Sequence, residues 1–273
     1  MRRAVAALAV NGALVVAAAL TLMPLLWMLS ASLMPAGEAT AIPPRLVPSA
    51  PTLEHYRTLF TRLDLGRALL NSVGLATVVT AVALVVNSLA GYAFAKLPFR
   101  GRERLFSILL AVLVVPSQVA MLPLFLELKT LGLVDSYLAV AIPGFASVFG
   151  IFLIRQYALG IPDGVLDAAR VDGASELRVY RSVAFWLLGP ILVTLAVFTF
   201  MGVWNDFMWP LVVLADQERY TLPVALATLA GEHVQDVELM MAGAVVTVLP
   251  VLLVFVCLQR YYIAGVTAGG VKE

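Results

Sequence analysis

A chain of 273 residues in which 62% of side chains are apolar and 13% charged lies far from the roughly 45–50% apolar and about 25% charged composition of a water-soluble domain. Composition alone makes it a membrane protein. The net charge of +1 gives no basic field to hold nucleic acid, and a single cysteine, Cys257, excludes an internal disulfide. Cys257 sits in an apolar run and reads as a small buried or lipid-facing side chain.

Met1-Arg2-Arg3 opens the chain, and no further charge follows until Glu38. A secretory signal carries about 7–15 apolar residues, whereas a bilayer needs about 20. Block 4–33 therefore reads as a retained first transmembrane helix, although Ser30-Ala31-Ser32 has the small residues of a cleavage site. The outer loop 34–67 holds Pro35, Pro43, Pro44, Pro48 and Pro51, so it should begin extended before Glu54-His55-Tyr56 restarts periodic structure. Block 68–95 carries Ser72, Ala76 and Thr80, then Ala83, Asn87 and Gly91, at four-residue steps. Such small or polar stripes let helices approach closely and mark an interior helix.

Further charge-poor blocks at about 105–126, 136–154, 182–208 and 239–262 bring the expected spans to six in a single domain, 1–273. Pro24, Pro116, Pro123, Pro143, Pro190 and Pro250 fall in or near them and free backbone carbonyls, which suits kinked helices around a wet cavity. Asn71, Asn87, Gln118 and Asn205 are the candidates to meet a neutral substrate there, and each is also a residue type that serves as a packing contact. Asp206, after Trp204-Asn205, serves equally as a hydrated interfacial anchor or as a pathway group. The last outer loop, 215–238, sets Asp216, Glu218, Glu232, Asp236 and Glu238 against Arg219, and reads as a solvated loop or as a contact for a soluble partner.

Lys and Arg placement orients the chain. With the N-terminus cytoplasmic, Arg2, Arg3, Lys96, Arg100, Arg102, Arg104, Arg155, Arg170, Arg178, Arg181, Arg260 and Lys272 fall inside, against Arg45, Arg57, Arg62, Arg67, Lys129 and Arg219 outside. Both termini and the 159–184 loop are thus expected on the cytoplasmic side. No G-x-x-x-x-G-K-[ST] phosphate loop and no G-x-S-x-G elbow occurs, so no ATP hydrolysis or acyl transfer is expected of this chain. His55 and His233 read as exposed loop residues without metal-ligating neighbours.

The polar island at 159–184 stands out. Pro162 suits a first helical turn, Asp163 the positive end of that helix, and Val165, Leu166 and Ala169 a narrow apolar face. Gly173 can end the helix in the left-handed conformation, and Asp172 or Ser175 can cap a second one. Leu177, Tyr180, Ala184 and Leu187 then carry that second helix straight into the fifth span.

Asp167-Ala168-Ala169-Arg170-Val171-Asp172-Gly173-Ala174-Ser175-Glu176 resembles the E-A-A-x-x-x-G loop of ATP-binding-cassette (ABC) importer permeases, and its D-G-A-S form resembles the carbohydrate-uptake permeases of the maltose-transporter type. The likeness extends through Leu70-Asn71-Ser72, Ala90-Gly91-Tyr92-Ala93-Phe94, Phe99-Arg100-Gly101-Arg102, Val115-Pro116-Ser117-Gln118, Leu122-Pro123-Leu124-Phe125, Trp204-Asn205-Asp206, Tyr220-Thr221-Leu222-Pro223 and Gly269-Gly270-Val271-Lys272. Two departures are visible. Asp167 replaces the usual glutamate, and Phe185-Trp186 replaces a leucine-proline pair, leaving Pro190 alone.

The resemblance implies an all-α integral membrane protein with six transmembrane helices and a cytoplasmic coupling loop between helices 4 and 5. It implies the smaller permease subunit of a sugar importer in the bacterial inner membrane, catalysing nothing itself. Its implied partners are a homologous second permease, two ATP-binding subunits that hold ATP and Mg, and an extracytoplasmic solute-binding protein. Asp167, Ala168, Ala169, Asp172, Gly173, Ala174, Ser175 and Glu176 would form the ATPase contact, with Asp167 and Glu176 meeting basic residues on the motor. The alternatives are an ion-coupled carrier, which would need ionisable groups near mid-membrane, and a structural membrane protein.

Overall fold

The structure, a computed structural model, describes residues 2–43, 45–232 and 236–268, with side chains for 10–43, 45–231 and 236–256. In chain order the helices are α1 (Arg2–Ala31), α2 (Glu54–Thr61), α3 (Leu65–Lys96), α4 (Arg102–Ala111), α5 (Ser117–Thr130), α6 (Tyr137–Ala141), α7 (Val148–Leu159), α8 (Asp163–Val171), α9 (Glu176–Val179), α10 (Phe185–Leu187), α11 (Gly189–Trp204), α12 (Met208–Val213), α13 (Leu222–Glu232) and α14 (Val237–Ala268). Among the described residues there is no strand. Four stretches, Val10–Ala31, Leu65–Lys96, Tyr137–Leu159 and Val237–Val256, are long and apolar enough to cross a membrane, and two bent helix pairs raise the number to six if each pair is one span.

The bends differ from the straight blocks expected of the sequence. Where 105–126 reads as one span, Arg102–Val114 and Ser117–Thr130 meet at 101°. The cause is local: Val115 is extended (φ −80°, ψ 119°) because it precedes Pro116, whose ring disfavours helical backbone in the residue before it. The second helix of the polar island likewise does not run straight into the fifth span. Glu176–Leu187 and Gly189–Trp204 are bent by 79°. Pro190 has no N–H to donate to the Trp186 carbonyl four residues back, and its ring would crowd that carbonyl. A turn of π-helix at Tyr180–Ala184 precedes the bend. The stretch 215–238, expected to be a loop, contains the eleven-residue helix α13.

The fold divides into two compact units, Met1–Gly66 with Ala225–Pro250 and Arg67–Val224 with Val251–Glu273. In the first, the segment after α1 is tied down by buried polar contacts. His55, expected to be exposed, is buried on α2, and its Nε2 donates to the Met34 carbonyl at 2.8 Å. Ser32 Oγ and Tyr56 Oη lie 2.7 Å apart, and the Ala39 N–H donates to buried Glu238 at 2.7 Å. His233 lies outside the described residues.

In the second unit α3 is the axis. Its 32 residues span about 48 Å at 1.5 Å per residue. The small stripe at Ser72, Ala76, Thr80, Ala83, Asn87 and Gly91 is buried, and it meets the 137–159 stretch with no slack. A Cβ on Gly91 would stand 2.6 Å from Ile154 Cβ, one on Gly144 2.6 Å from Val79, and one on Gly150 3.0 Å from the Asn87 side chain. Two apolar clusters share this axis. Leu75 and Val79 pack with Leu128, Ala139, Trp209 and Val213 toward the start of α3. Tyr92 and Ala95 pack with Ile154, Leu166, Val179 and Leu188 at its end.

Candidate functional site

The end of α3 builds the turn around Gly173. Pro162 holds extended backbone (φ −60°, ψ 129°) at the N-cap position of α8. The Lys96 ammonium, its side chain only 7% exposed, donates to the Ile161 carbonyl at 2.6 Å and to Asp163 Oδ1 at 2.7 Å. That hydrogen bond and charge hold the Asp163 carboxyl below the usual aspartate range. The narrow apolar face faces inward: Leu166 is fully buried in the Tyr92 cluster and Ala169 is partly covered, whereas Val165 stays 45% exposed.

Gly173 adopts the left-handed conformation (φ 77°). Its N–H donates to the Arg170 carbonyl at 3.0 Å and the Ala174 N–H to the Ala169 carbonyl at 3.1 Å. This is the bond pattern of a Schellman motif, with Gly173 just past the helix end. Ser175 takes the N-cap position of α9 by its backbone, without a side-chain cap bond. Ala168, Asp172, Gly173 and Ser175 are exposed and Ala174 is half-buried.

Arg170 closes the turn, and sequence reasoning did not single it out as a site residue. Its Nε and Nη2 donate to the two oxygens of Glu176 at 2.7 and 3.2 Å, and its Nη1 donates to Asp167 Oδ1 at 2.7 Å. The two carboxylates, Glu176 foremost, raise the guanidinium pKa above its ordinary value. Asp167 and Glu176 thus face a cation of their own chain. The available signal was the i, i+3 spacing of Asp167 and Arg170 on a helix. Outside the fork, Val171 is 87% exposed and Leu177 68%.

The four pathway candidates separate in space. Asn87, fully buried, donates to the Ala83 carbonyl at 2.7 Å and accepts the Ser147 N–H at 2.9 Å, so it binds α3 to the start of α7. Asn71 donates to the carbonyls of Glu218 and Tyr220, both at 3.0 Å, and accepts from Tyr137 Oη at 2.8 Å. Gln118 and Asn205 are brought together on the wall of a cavity of about 630 Å3, together with Ser72, Ser117, Asp206 and Trp209. Asn205 Nδ2 donates to the Met201 carbonyl at 2.9 Å, and Trp209 Nε1 to the Ala139 carbonyl at 3.1 Å. The cavity size is typical of small-molecule sites.

Apolar helices, two of the six candidate spans broken, and a preformed surface turn between α8 and α9, packed against the end of α3, describe a membrane-spanning transporter subunit. Residues 87–267 match the binding-protein-dependent transport system inner membrane components, and the chain belongs to that family. It is similar to the arabinooligosaccharides transport system permease protein AraQ of Halalkalibacterium halodurans, at 38% identity over 91% of this chain and 90% of that one. It is also similar to the lactose transport system permease protein LacG of Rhizobium radiobacter, at 32% identity over 94% and 93%. Among solved structures, a chain of a bacterial ABC transporter involved in import of the acidic polysaccharide alginate superposes with a TM-score of 0.83 and 26% identity, over 96% of this chain and 98% of that one. The fold is that of an ABC importer permease.

Proposed function

We propose that this chain is the smaller permease subunit of an ATP-driven importer for a sugar, oligosaccharide or polyol, set in the bacterial inner membrane with both termini cytoplasmic. Its partners are a homologous second permease, two ATP-binding subunits that hold ATP and Mg, and an extracytoplasmic solute-binding protein. The sugar class is supported by relatives whose names include arabinooligosaccharide and lactose transport.

The observation that carries the coupling role is the outer face of α8. Val171 is 87% exposed at the end of a helix whose other face is fixed in the core by Leu166. An apolar side chain presented beside a preformed turn suits helix-in-groove recognition. In this reading α8 sits in a groove of the ATPase, and the Arg170 fork keeps the turn folded for it. Closure of the ATPase shifts α8. Leu166 passes the shift to the end of α3, and α9 passes it to the bend before α11.

Val171→Asp tests the reading, with Gly173→Pro as a second variant. Burying a valine on docking contributes about 1.5–3 kcal/mol, so Val171→Asp should weaken co-purification with the ATPase subunit by about tenfold or more. Sugar uptake should fall in parallel while the amount of chain in the membrane holds, because the side chain makes no core contact. Undiminished ATPase binding and uptake in both variants would overturn the proposal.

A further inference from the structure

The cavity between α3, α5, α11 and α12 has an asymmetry of charge. Among the described residues that line it, Asp206 is the one ionisable side chain, and no Lys, Arg or His contributes to the wall. The Asp206 carboxylate accepts the Trp209 backbone N–H at 3.3 Å, and no ion pair to it occurs among the described residues. Its neighbours on the wall are neutral. Asn205 has used one amide hydrogen on the Met201 carbonyl and keeps its own carbonyl oxygen as an acceptor. Gln118, exposed on the wall, offers an amide. Trp209 is fixed by its indole bond to Ala139 and, with Phe207, supplies aromatic surface.

We propose that this cavity is a subsite for an uncharged polyhydroxylated solute, and that Asp206 sets its selectivity by rejecting anionic ones. The inference rests on the reading of the chain as a sugar permease. A carboxylate without a cationic partner accepts hydrogen bonds from sugar hydroxyls, and the amides of Asn205 and Gln118 complete a neutral hydrogen-bonding set. The same carboxylate opposes a carboxylate on the solute. In a partly enclosed cavity with mostly apolar walls, like charges are poorly screened, and no Lys or Arg on the wall offsets them. The fold neighbour that serves an acidic polysaccharide therefore shares the scaffold and not, in this reading, the charge preference.

The test is equilibrium dialysis of labelled sugars against the purified full-length chain in lipid nanodiscs. Lactose, trehalose and raffinose form the neutral set; di- and trigalacturonate form the anionic set. Wild type should bind at least one neutral sugar at least about tenfold more tightly than the uronate of equal length. Asp206→Asn should narrow that gap to within about threefold, and Asp206→Glu should restore it, which guards against a variant that has lost its fold. Equal binding of uronates by wild type, an unchanged gap in Asp206→Asn, or no binding of any neutral sugar would each overturn the inference. ATPase co-purification with the Val171→Asp chain reads the coupling role separately, so the two proposals fail by different measurements.

Discussion

Replacing Arg170 by methionine keeps an unbranched apolar stem and removes all three of its hydrogen bonds to Asp167 and Glu176. The fork is partly solvated: the side chain of Arg170 is 30% exposed, that of Asp167 59% and that of Glu176 48%. Exposed ion pairs are each worth about 0.2–1 kcal/mol, and bidentate geometry puts the Glu176 pair at the upper end. Screening thus leaves about 1–2 kcal/mol for the whole fork, or roughly 5–30-fold in the equilibrium between folded and opened turn. The backbone bonds at risk are Asp172 N–H to Ala168, Gly173 N–H to Arg170 and Ala174 N–H to Ala169. Amide hydrogen exchange on the chain in lipid should accelerate by that factor in peptides covering 163–177 and remain unchanged in peptides from the middle of α3. Exchange in 163–177 that matches wild type, or acceleration spread evenly over the chain, would refute the assignment of Arg170 as the residue that holds the turn.

Two further outcomes are expected. Gly91→Ala places a Cβ 2.6 Å from Ile154 Cβ, an overpacking that costs about 1–3 kcal/mol. Thermal unfolding should shift down, and combining Gly91→Ala with Ile154→Ala, which removes the contacting Cγ2, should cost less than the sum of the two single variants; additive effects would count against the contact. Asp163, held by Lys96 below the unfolded aspartate value of about 3.9, contributes stability that is complete above that value and is lost as pH falls through the lower folded one. Limited proteolysis near 161–164 should therefore be constant from pH 8 to about pH 5 and increase on further acidification. Asp163→Asn should be cleaved more readily at neutral pH and lose that acid-dependent step; a step of wild-type size in the variant would sink the assignment.

The membrane class and the helical content were open to reading because lipid imposes them on composition: a chain this apolar must satisfy its backbone within helices. The buried stripe on α3 was legible for the same kind of reason, since small residues at four-residue steps have one packing use. The bends were half legible. Pro116 and Pro190 mark where a helix is weakened, but the 101° and 79° angles depend on what each half packs against. His55 shows the limit of reading a proline-rich segment as a solvated loop. Its partner, the Met34 carbonyl, is 21 residues away, and no local pattern announces it.

The turn and the cavity show the same limit on a larger scale. Gly173 in a left-handed turn followed from its neighbours, because the Schellman motif is written within six residues. The engagement of Asp167 and Glu176 by Arg170 did not, because one cation among three carboxylates in ten residues admits several pairings and only the folded turn selects among them. Likewise, four amide side chains looked alike as pathway candidates. The fold gives Asn71 and Asn87 partners of their own and puts Gln118 and Asn205 on one wall, from α5 and from the residue that follows α11.

The glycine contacts of α3 have a mechanical consequence. Packed tightly against the 137–159 stretch at Val79, Asn87 and Gly91, this helix is braced along its middle, while both bent pairs are already broken. From Lys96, which grips α8, to Ser72, on the cavity wall, it is a stiff arm of about 36 Å. A tilt of about 5° pivoting near Lys96 sweeps Ser72 through about 3 Å, the length of one hydrogen bond.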